Sequence, residues 1–243
     1  MTLRISGGRK LLSPPGSIAR PTASRVRLAV MNLLADTVPG CRWLDLCCGS
    51  GVMACEALQR GANAVVAIEQ DRRIAAIARS NLETVAQGLS PRPEVAVHCR
   101  EVGRWLSQAA EQPFELIYAD PPYRLGLYPT LATAVGSGGW LRPGGVMVWE
   151  CASDTCPQVP PGWQLIDQRR YGSTSVMLLS QDSAVEQGAA AVLIPSRHKQ
   201  AEHGHRDQTE HDAAEQGFDH GNTDGTRKAQ FFHVPGRHRE DHR

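Results

Sequence analysis

Asp120-Pro121-Pro122-Tyr123 follows an apolar, strand-like run from Phe114 to Ala119. Two prolines after an acid continue neither a helix nor a strand ladder, so the chain leaves the strand here in a stiff loop. The loop offers one carboxylate, one carbonyl and one flat aromatic face at a strand end. A planar base carrying an exocyclic amino group is recognised by those three groups. The ring stacks on it, and the acid and the carbonyl accept the amino hydrogens. Asp120, Pro121 and Tyr123 are therefore the candidate catalytic residues, holding an amino nitrogen ready to attack an electrophile.

A second constellation lies earlier in the chain. Trp43-Leu44-Asp45-Leu46-Cys47-Cys48-Gly49-Ser50-Gly51 reads as an apolar strand entering a glycine turn, with a helix from Val52. Glycines let a backbone approach a ligand closely at the carboxyl end of a first strand. Neither the three-glycine dinucleotide fingerprint nor a P-loop lysine is present. Val65 to Glu69 is a second buried strand, and an acid at its end can accept both hydroxyls of a ribose. Taken singly, the turn is an ordinary strand–turn–helix and Glu69 a solvated strand end. In this order and at these spacings, with the Asp120 loop downstream, they read as parts of one ligand site.

The elements that must position these residues alternate. Leu3–Ile5 and Arg9–Leu12 flank Ser6-Gly7-Gly8 as a short hairpin. Pro21 suits the first turn of a helix with apolar residues at Val26, Ala29, Val30, Leu33 and Leu34. Strands are expected at Arg42–Cys47, Ala64–Glu69, Val95–His98, Phe114–Ala119 and Val146–Glu150. Helices are expected at Val52–Arg60, Arg72–Ala86, Val102–Ala110 and Tyr128–Val135. Such alternation indicates an α/β fold with a parallel sheet covered on both faces. Trp163–Gln168 and Ser173–Leu179 supply an antiparallel edge pair.

The order of these motifs resembles the class I S-adenosylmethionine-dependent methyltransferases, and the D-P-P-Y form those acting on exocyclic amino groups of nucleic-acid bases. Leu3 to Leu11, Arg20-Pro21-Thr22 and Arg25-Val26-Arg27 are similar to the opening of the bacterial 16S rRNA guanine-N2 methyltransferases of the small ribosomal subunit. The resemblance spans roughly Leu3 to Ser180. It implies a Rossmann-like, mostly parallel seven-stranded sheet with an antiparallel edge pair, preceded by a short hairpin and helix. It implies S-adenosyl-L-methionine as cofactor, with Asp45, Gly49, Ser50 and Gly51 at its methionine end, Glu69 at the ribose and Glu101 near the adenine. Glu101 also reads simply as an acid favoured at a helix N-terminus. The implied partner is 16S rRNA within a partly assembled small subunit, met by Arg4, Arg9, Lys10, Arg20, Arg25 and Arg27. Two other readings share these motifs. One is an adenine or cytosine amino methyltransferase acting on DNA. The other is a catalytically silent RNA-binding assembly factor.

Composition agrees with such a protein. Residues 1–180 hold 18 Lys and Arg against 14 Asp and Glu, and six basic residues precede the first acid, Asp36. Arginine suits bidentate phosphate contacts and base stacking. No run of about 18 apolar residues exists, so no spanning helix is expected. No signal peptide is read at the N-terminus, and a cytoplasmic monomer is expected. The seven cysteines are an odd number, contain no C-x-x-C pair, and read as reduced thiols with no metal site. Cys47 and Cys48 are expected on opposite strand faces. The chain thus reads as a hairpin extension over residues 1–20, a catalytic domain over 21–180 and a disordered tail over 181–243. The tail carries eight of the nine histidines, among them His203-Gly204-His205, and little apolar content.

Overall fold

The computed structural model describes residues 3–14 and 24–182, all within the first of the chain's two units, Met1–Ile194. Arg20, Pro21, Thr22 and the tail beyond Asp182 lie outside the described residues. β1 (Leu3–Arg4) and β2 (Lys10–Leu11) pair antiparallel around a turn at Ser6–Gly8. α1 (Ser24–Leu33) leads into β3 (Arg42–Leu46), α2 (Val52–Gln59), β4 (Ala64–Glu69), α3 (Arg72–Gln87) and β5 (Glu94–Cys99). Then come α4 (Val102–Leu106), β6 (Phe114–Ala119), α5 (Tyr128–Ser137), β7 (Leu141–Ala152), β8 (Trp163–Tyr171) and β9 (Thr174–Gln181). The large sheet has the order β5–β4–β3–β6–β7–β9–β8. Its first five strands are parallel, and β9 runs antiparallel between β7 and β8. This is the mostly parallel seven-stranded sheet with an antiparallel edge pair that the sequence implies.

Side chains alternate along each strand, so the sheet sorts them to two faces. Trp43, Val65, Ala67, Leu116, Tyr118 and Val148 face one core with α1, α2 and α3. Leu44, Leu46, Ile117, Ala119, Met147 and Trp149 face the other, covered by α4 and α5. The central strands are buried on both faces, which is why they read as continuous apolar runs. Burying each large side chain contributes about 1.5–3 kcal/mol. Trp43 and Tyr118 stack at 6.0 Å between ring centres on the first face.

The strand ends bear directly on function. β3, β4, β6 and β7 are neighbours, and their carboxyl ends point the same way. The turn after β3, Glu69, Asp120 and Glu150 therefore all emerge at one edge of the sheet. A crevice at such an edge, where the strand order reverses direction from β3, is where open α/β sheets take their ligands.

The largest differences from expectation lie at α4, β7 and the edge pair β8–β9, whose first strand runs on to Tyr171. α4 covers five residues rather than nine. The Ser107 hydroxyl turns back to the Arg104 carbonyl, and the Ala110 amide is drawn off to the Gly138 carbonyl at 2.9 Å. β7 covers 12 residues and begins at Leu141. A register shift between Phe114 and Leu116 absorbs the extra length, with Arg142 bound to the Glu115 carboxylate at 2.7 Å. β9 runs to Gln181, so the domain boundary read at residue 180 falls inside a strand. Cys47 is not part of β3 at all. It stands in the left-handed region at φ 64°, and it packs toward the second core while Cys48 enters the first.

Candidate active site

The glycine turn is built by acids on both sides of it. Asp45 is 1% exposed, and its Oδ2 accepts the Ala54 amide at 3.2 Å, holding the first turn of α2. Glu69 Oε2 accepts the Gly49 amide at 3.0 Å, and Oε1 accepts the Asp71 amide at 2.9 Å. Each Glu69 oxygen keeps a further lone pair, the number two ribose hydroxyls need. The two glycines do different jobs. A Cβ on Gly49 would meet nothing within 4 Å, so the turn is open there. A Cβ on Gly51 would lie 2.9 Å from Leu82 Cδ1 and 3.3 Å from Ala78 Cβ, so Gly51 lets α2 and α3 close on each other. Ser50 is buried, and its carbonyl accepts the Asn81 side-chain amide at 3.0 Å. Glu101 caps α4, with its two oxygens taken by the Gly103 and Arg104 amides at 2.7 Å each. Its position at the end of β5 is the expected one, and its carboxylate does the work of an N-cap.

Asp120, half-buried at the end of β6, has an acidic neighbour that the sequence reading passed over. Glu150 is 4% exposed and continues the β6–β7 register one step beyond Ala119↔Trp149. The Tyr118 hydroxyl donates to Glu150 Oε2, and the Tyr128 hydroxyl donates to the Glu150 carbonyl. Asp45, Tyr118, Asp120 and Glu150 thus form a row on one sheet face. Burial, then the charges of Glu150 and Asp45, push the Asp120 carboxyl well above the usual carboxylate range. Burial raises Glu150 as well, opposed by the Tyr118 hydrogen bond and the Arg27 charge. Burial lifts Asp45 to about 8, against the Ala54 hydrogen bond and with Glu69 and Glu150 adding to the rise. The Cys47 thiol is pushed to about 12 by burial and by the charges of Glu69, Asp45, Asp120 and Glu101. One side chain therefore feels four of the acids at once. The clefts lined by Leu106, Ser107 and Gly138, and by Lys10, Leu12 and Thr84, contain none of them.

This carboxyl row makes stability depend on pH. The folded Asp45 holds a proton that the unfolded chain releases, between its ordinary value of 3.8 and about 8. The folded state binds more protons in that window, so stability falls as pH rises through it. The slope is at most about 1.4 kcal/mol per pH unit for each such carboxyl. Melting temperatures measured from pH 4 to pH 8 are expected to fall, and Asp45→Asn to flatten the curve. An equal slope in the variant would show that Asp45 carries no such proton.

The basic residues divide. Arg25, Arg4 and Lys10 are exposed, and Arg4 Nη1 donates to the Gly8 carbonyl at 2.7 Å. Arg9 is half-buried, its Nη1 on the Thr84 carbonyl at 2.9 Å. Arg27 is a correction: it is 6% exposed and does not reach the surface as an RNA contact must. Its Nη2 donates to the Arg4 carbonyl at 2.6 Å, and its Nε lies 3.5 Å from Glu56 Oε1, which also accepts the Ser6 amide at 3.1 Å. The side chain of Asn81 does a related job, exchanging hydrogen bonds of 2.8 and 3.0 Å with the Leu12 backbone while it holds Ser50. Glu56 and Asn81 thereby dock the hairpin onto α2, α3 and the glycine turn. Their sequence signal is a lone polar residue in an apolar helical stripe. All seven cysteines are free, and among the described residues no group of His, Cys, Asp and Glu is arranged to hold a metal.

Comparison with known proteins places this geometry in a family. The family model described as conserved hypothetical protein 95 matches residues 3–180. The ribosomal RNA small subunit methyltransferase D of Escherichia coli is 30% identical over 192 residues, covering 77% of this chain and 94% of that protein. The solved structure of yhhF from Escherichia coli has a TM-score of 0.63 at 28% identity, covering 72% of this chain and 93% of that one. Protein HI0767 of Haemophilus influenzae follows with a TM-score of 0.60 at 27% identity, covering 74% and 98%. The chain belongs to the conserved hypothetical protein 95 family, the family of the ribosomal RNA small subunit methyltransferase D proteins.

Proposed function

We propose that this protein transfers a methyl group from S-adenosylmethionine to the N2 amino group of a guanine in 16S rRNA. The observation that carries the reading is the convergence of the Glu69–Gly49 turn, Asp120 and Tyr123 at one sheet edge. The family's rRNA methyltransferases support the class of reaction and of substrate. The residues present fit the cofactor. The open backbone at Gly49 and the spare lone pairs of Glu69 suit its amino acid and ribose groups. When bound, the cofactor supplies an electrophilic methyl group on a sulfonium.

The chain's own residues orient the acceptor. Asp120 and the Pro121 carbonyl accept the two amino hydrogens, which localises the nitrogen lone pair toward the methyl carbon. The nitrogen would take the methyl carbon as the carbon–sulfur pair passed to sulfur, leaving a neutral thioether, and the proton it sheds would pass by way of the Asp120 carboxylate to water. Tyr123 is 41% exposed and offers its ring face to the base. Positioning and electrostatics account for the catalysis, with no covalent intermediate.

The test is methyl transfer to naked 16S rRNA and to small subunits, with the modified nucleotide mapped by mass spectrometry. N2-methylguanine in 16S rRNA is the expected product. Transfer to adenine or cytosine of DNA would overturn the substrate assignment. Cofactor binding without transfer to any nucleic acid would leave the assembly-factor reading. A separate variant tests the cofactor end. Glu69→Ala removes charge-assisted hydrogen bonds worth about 1.5–3 kcal/mol, so cofactor affinity is expected to drop about tenfold or more while the fold survives. Unchanged affinity by titration calorimetry would remove Glu69 from the site.

A further inference from the structure

The turn between β8 and β9, residues 172–173, touches both walls of the acceptor side. Thr174, the first residue after it, pairs with Ala152 at the carboxyl end of β7, so the turn stands at the same sheet edge as Asp120. The Thr174 side chain lies beside the Tyr123 hydroxyl. On its other side it meets α1. Gly172 has φ +71°, and a Cβ there would lie 2.8 Å from Arg25 Nη2. The Arg25 guanidinium thus occupies the space a side chain would take. Arg170 folds back from β8, with its Nε on the Gly172 carbonyl at 3.0 Å. Two guanidinium groups therefore converge on one glycine, at the sheet edge that carries Asp120.

Their charge is left uncancelled. The neighbouring Arg169 is paired with Asp167 at 2.8 Å, and Arg142 with Glu115 at 2.7 Å. Arg25 and Arg170 have no carboxylate partner among the described residues. Arg124, one residue past Tyr123, has none either. Between Arg169 and Gln181 the chain carries no acid. Planar guanidinium forks with free N–H groups, spaced around an aromatic platform, match the phosphates on either side of an everted nucleotide.

We propose that the β8–β9 turn is a phosphate-gripping element of this protein, in which Arg170 and Arg25 hold the RNA backbone flanking the base that Tyr123 and Asp120 receive. The proposal rests on the reading of the protein as an RNA methyltransferase. Arg25 is an RNA contact already expected from sequence; the turn and Arg170 are not. Gly172 leaves room for Arg25 to lie across the turn.

The experiment is binding of full-length protein to naked 16S rRNA and to small subunits over a salt series, with wild type, Arg170→Ala, Arg25→Ala, the double variant and Arg142→Ala. Each loss of a phosphate contact is expected to lower the slope of log affinity against log salt by about 1. Each is also expected to weaken binding by about threefold or more at moderate salt. The double variant is expected to show both losses. Arg142→Ala, at the amino end of β7 on the far edge of the sheet and already ion-paired, is expected to behave as wild type. Arg170→Lys is expected to retain most of the slope, since it keeps the charge. Melting temperature and cofactor affinity are expected to stay unchanged in all of them. A double variant with the wild-type slope and affinity would overturn the phosphate grip alone, as would an equal loss in Arg142→Ala. A wild type that binds neither RNA substrate would overturn the grip and the functional reading together.

Discussion

Asp120→Ala is expected to lower the single-turnover rate of methyl transfer by about 10²–10³, as for loss of one preorganised electrostatic contact to a reacting group. Asp120→Asn keeps one acceptor, Oδ1, but loses the negative charge, and is expected to fall nearly as far. Cofactor affinity is expected to hold in both, since Asp120 faces the acceptor and Glu69 the cofactor. Removing one of three crowded carboxyls also relieves repulsion among Asp45, Asp120 and Glu150, so the variants should melt no lower than wild type. A rate loss with an unchanged or raised melting temperature separates a catalytic role from a structural one. Tyr123→Phe is expected to be mild, because stacking uses the ring. Tyr123→Ala is expected to cost about 1–3 kcal/mol in base engagement. Full activity in Asp120→Ala would sink the catalytic assignment.

Arg27→Ala is expected to destabilise the fold by about 3–5 kcal/mol, because it strands a buried carboxylate without its cation. Glu56 is 3% exposed and Glu150 4%; the first lies 3.5 Å from this guanidinium, and its positive charge also bears on the second. Its hydrogen bond to the Arg4 carbonyl is lost as well, which loosens the hairpin. Arg25→Ala, two residues away and exposed, is expected to change stability by no more than about 0.5 kcal/mol. Denaturant unfolding followed by circular dichroism reads both. If Arg27→Ala unfolded like wild type and instead lost RNA affinity in a salt-dependent way, Arg27 would belong to the surface. A milder check is Arg27→Lys, which keeps the charge but not the fork. It is expected to recover part of the stability and little of the hairpin attachment.

Much of the candidate site was legible because it sits at strand ends. Ala64–Glu69 and Phe114–Ala119 were read with the observed limits, and each ends at or just before an acid. A parallel strand buried on both faces is a nearly unbroken apolar run, so the first charge after it marks the carboxyl edge where ligands bind. Glu150 ends β7's buried stretch in the same manner and was available to the same argument. It was missed because no loop motif follows it. Glu101 was legible as an N-cap for a local reason, since a carboxylate before a helix reaches amides two and three residues on.

The sequence by itself determined the element order, the sheet class and the acids and glycines at the strand ends, because backbone chemistry and hydrophobic period act over a few residues. Only the tertiary structure decided which charges meet. Arg25 and Arg27 read alike in an R-V-R block, yet two helical steps of about 100° turn them to nearly opposite sides. Arg27 shares the stripe of Met31 and Leu34 and turns inward to Glu56, while Arg25 reaches a turn nearly 150 residues later in the chain, at Gly172. The row of Asp45, Asp120 and Glu150 likewise exists only through the register of three separate strands. Charge pairing across a sheet depends on register and burial, and neither is written in the spacing of residues along one chain.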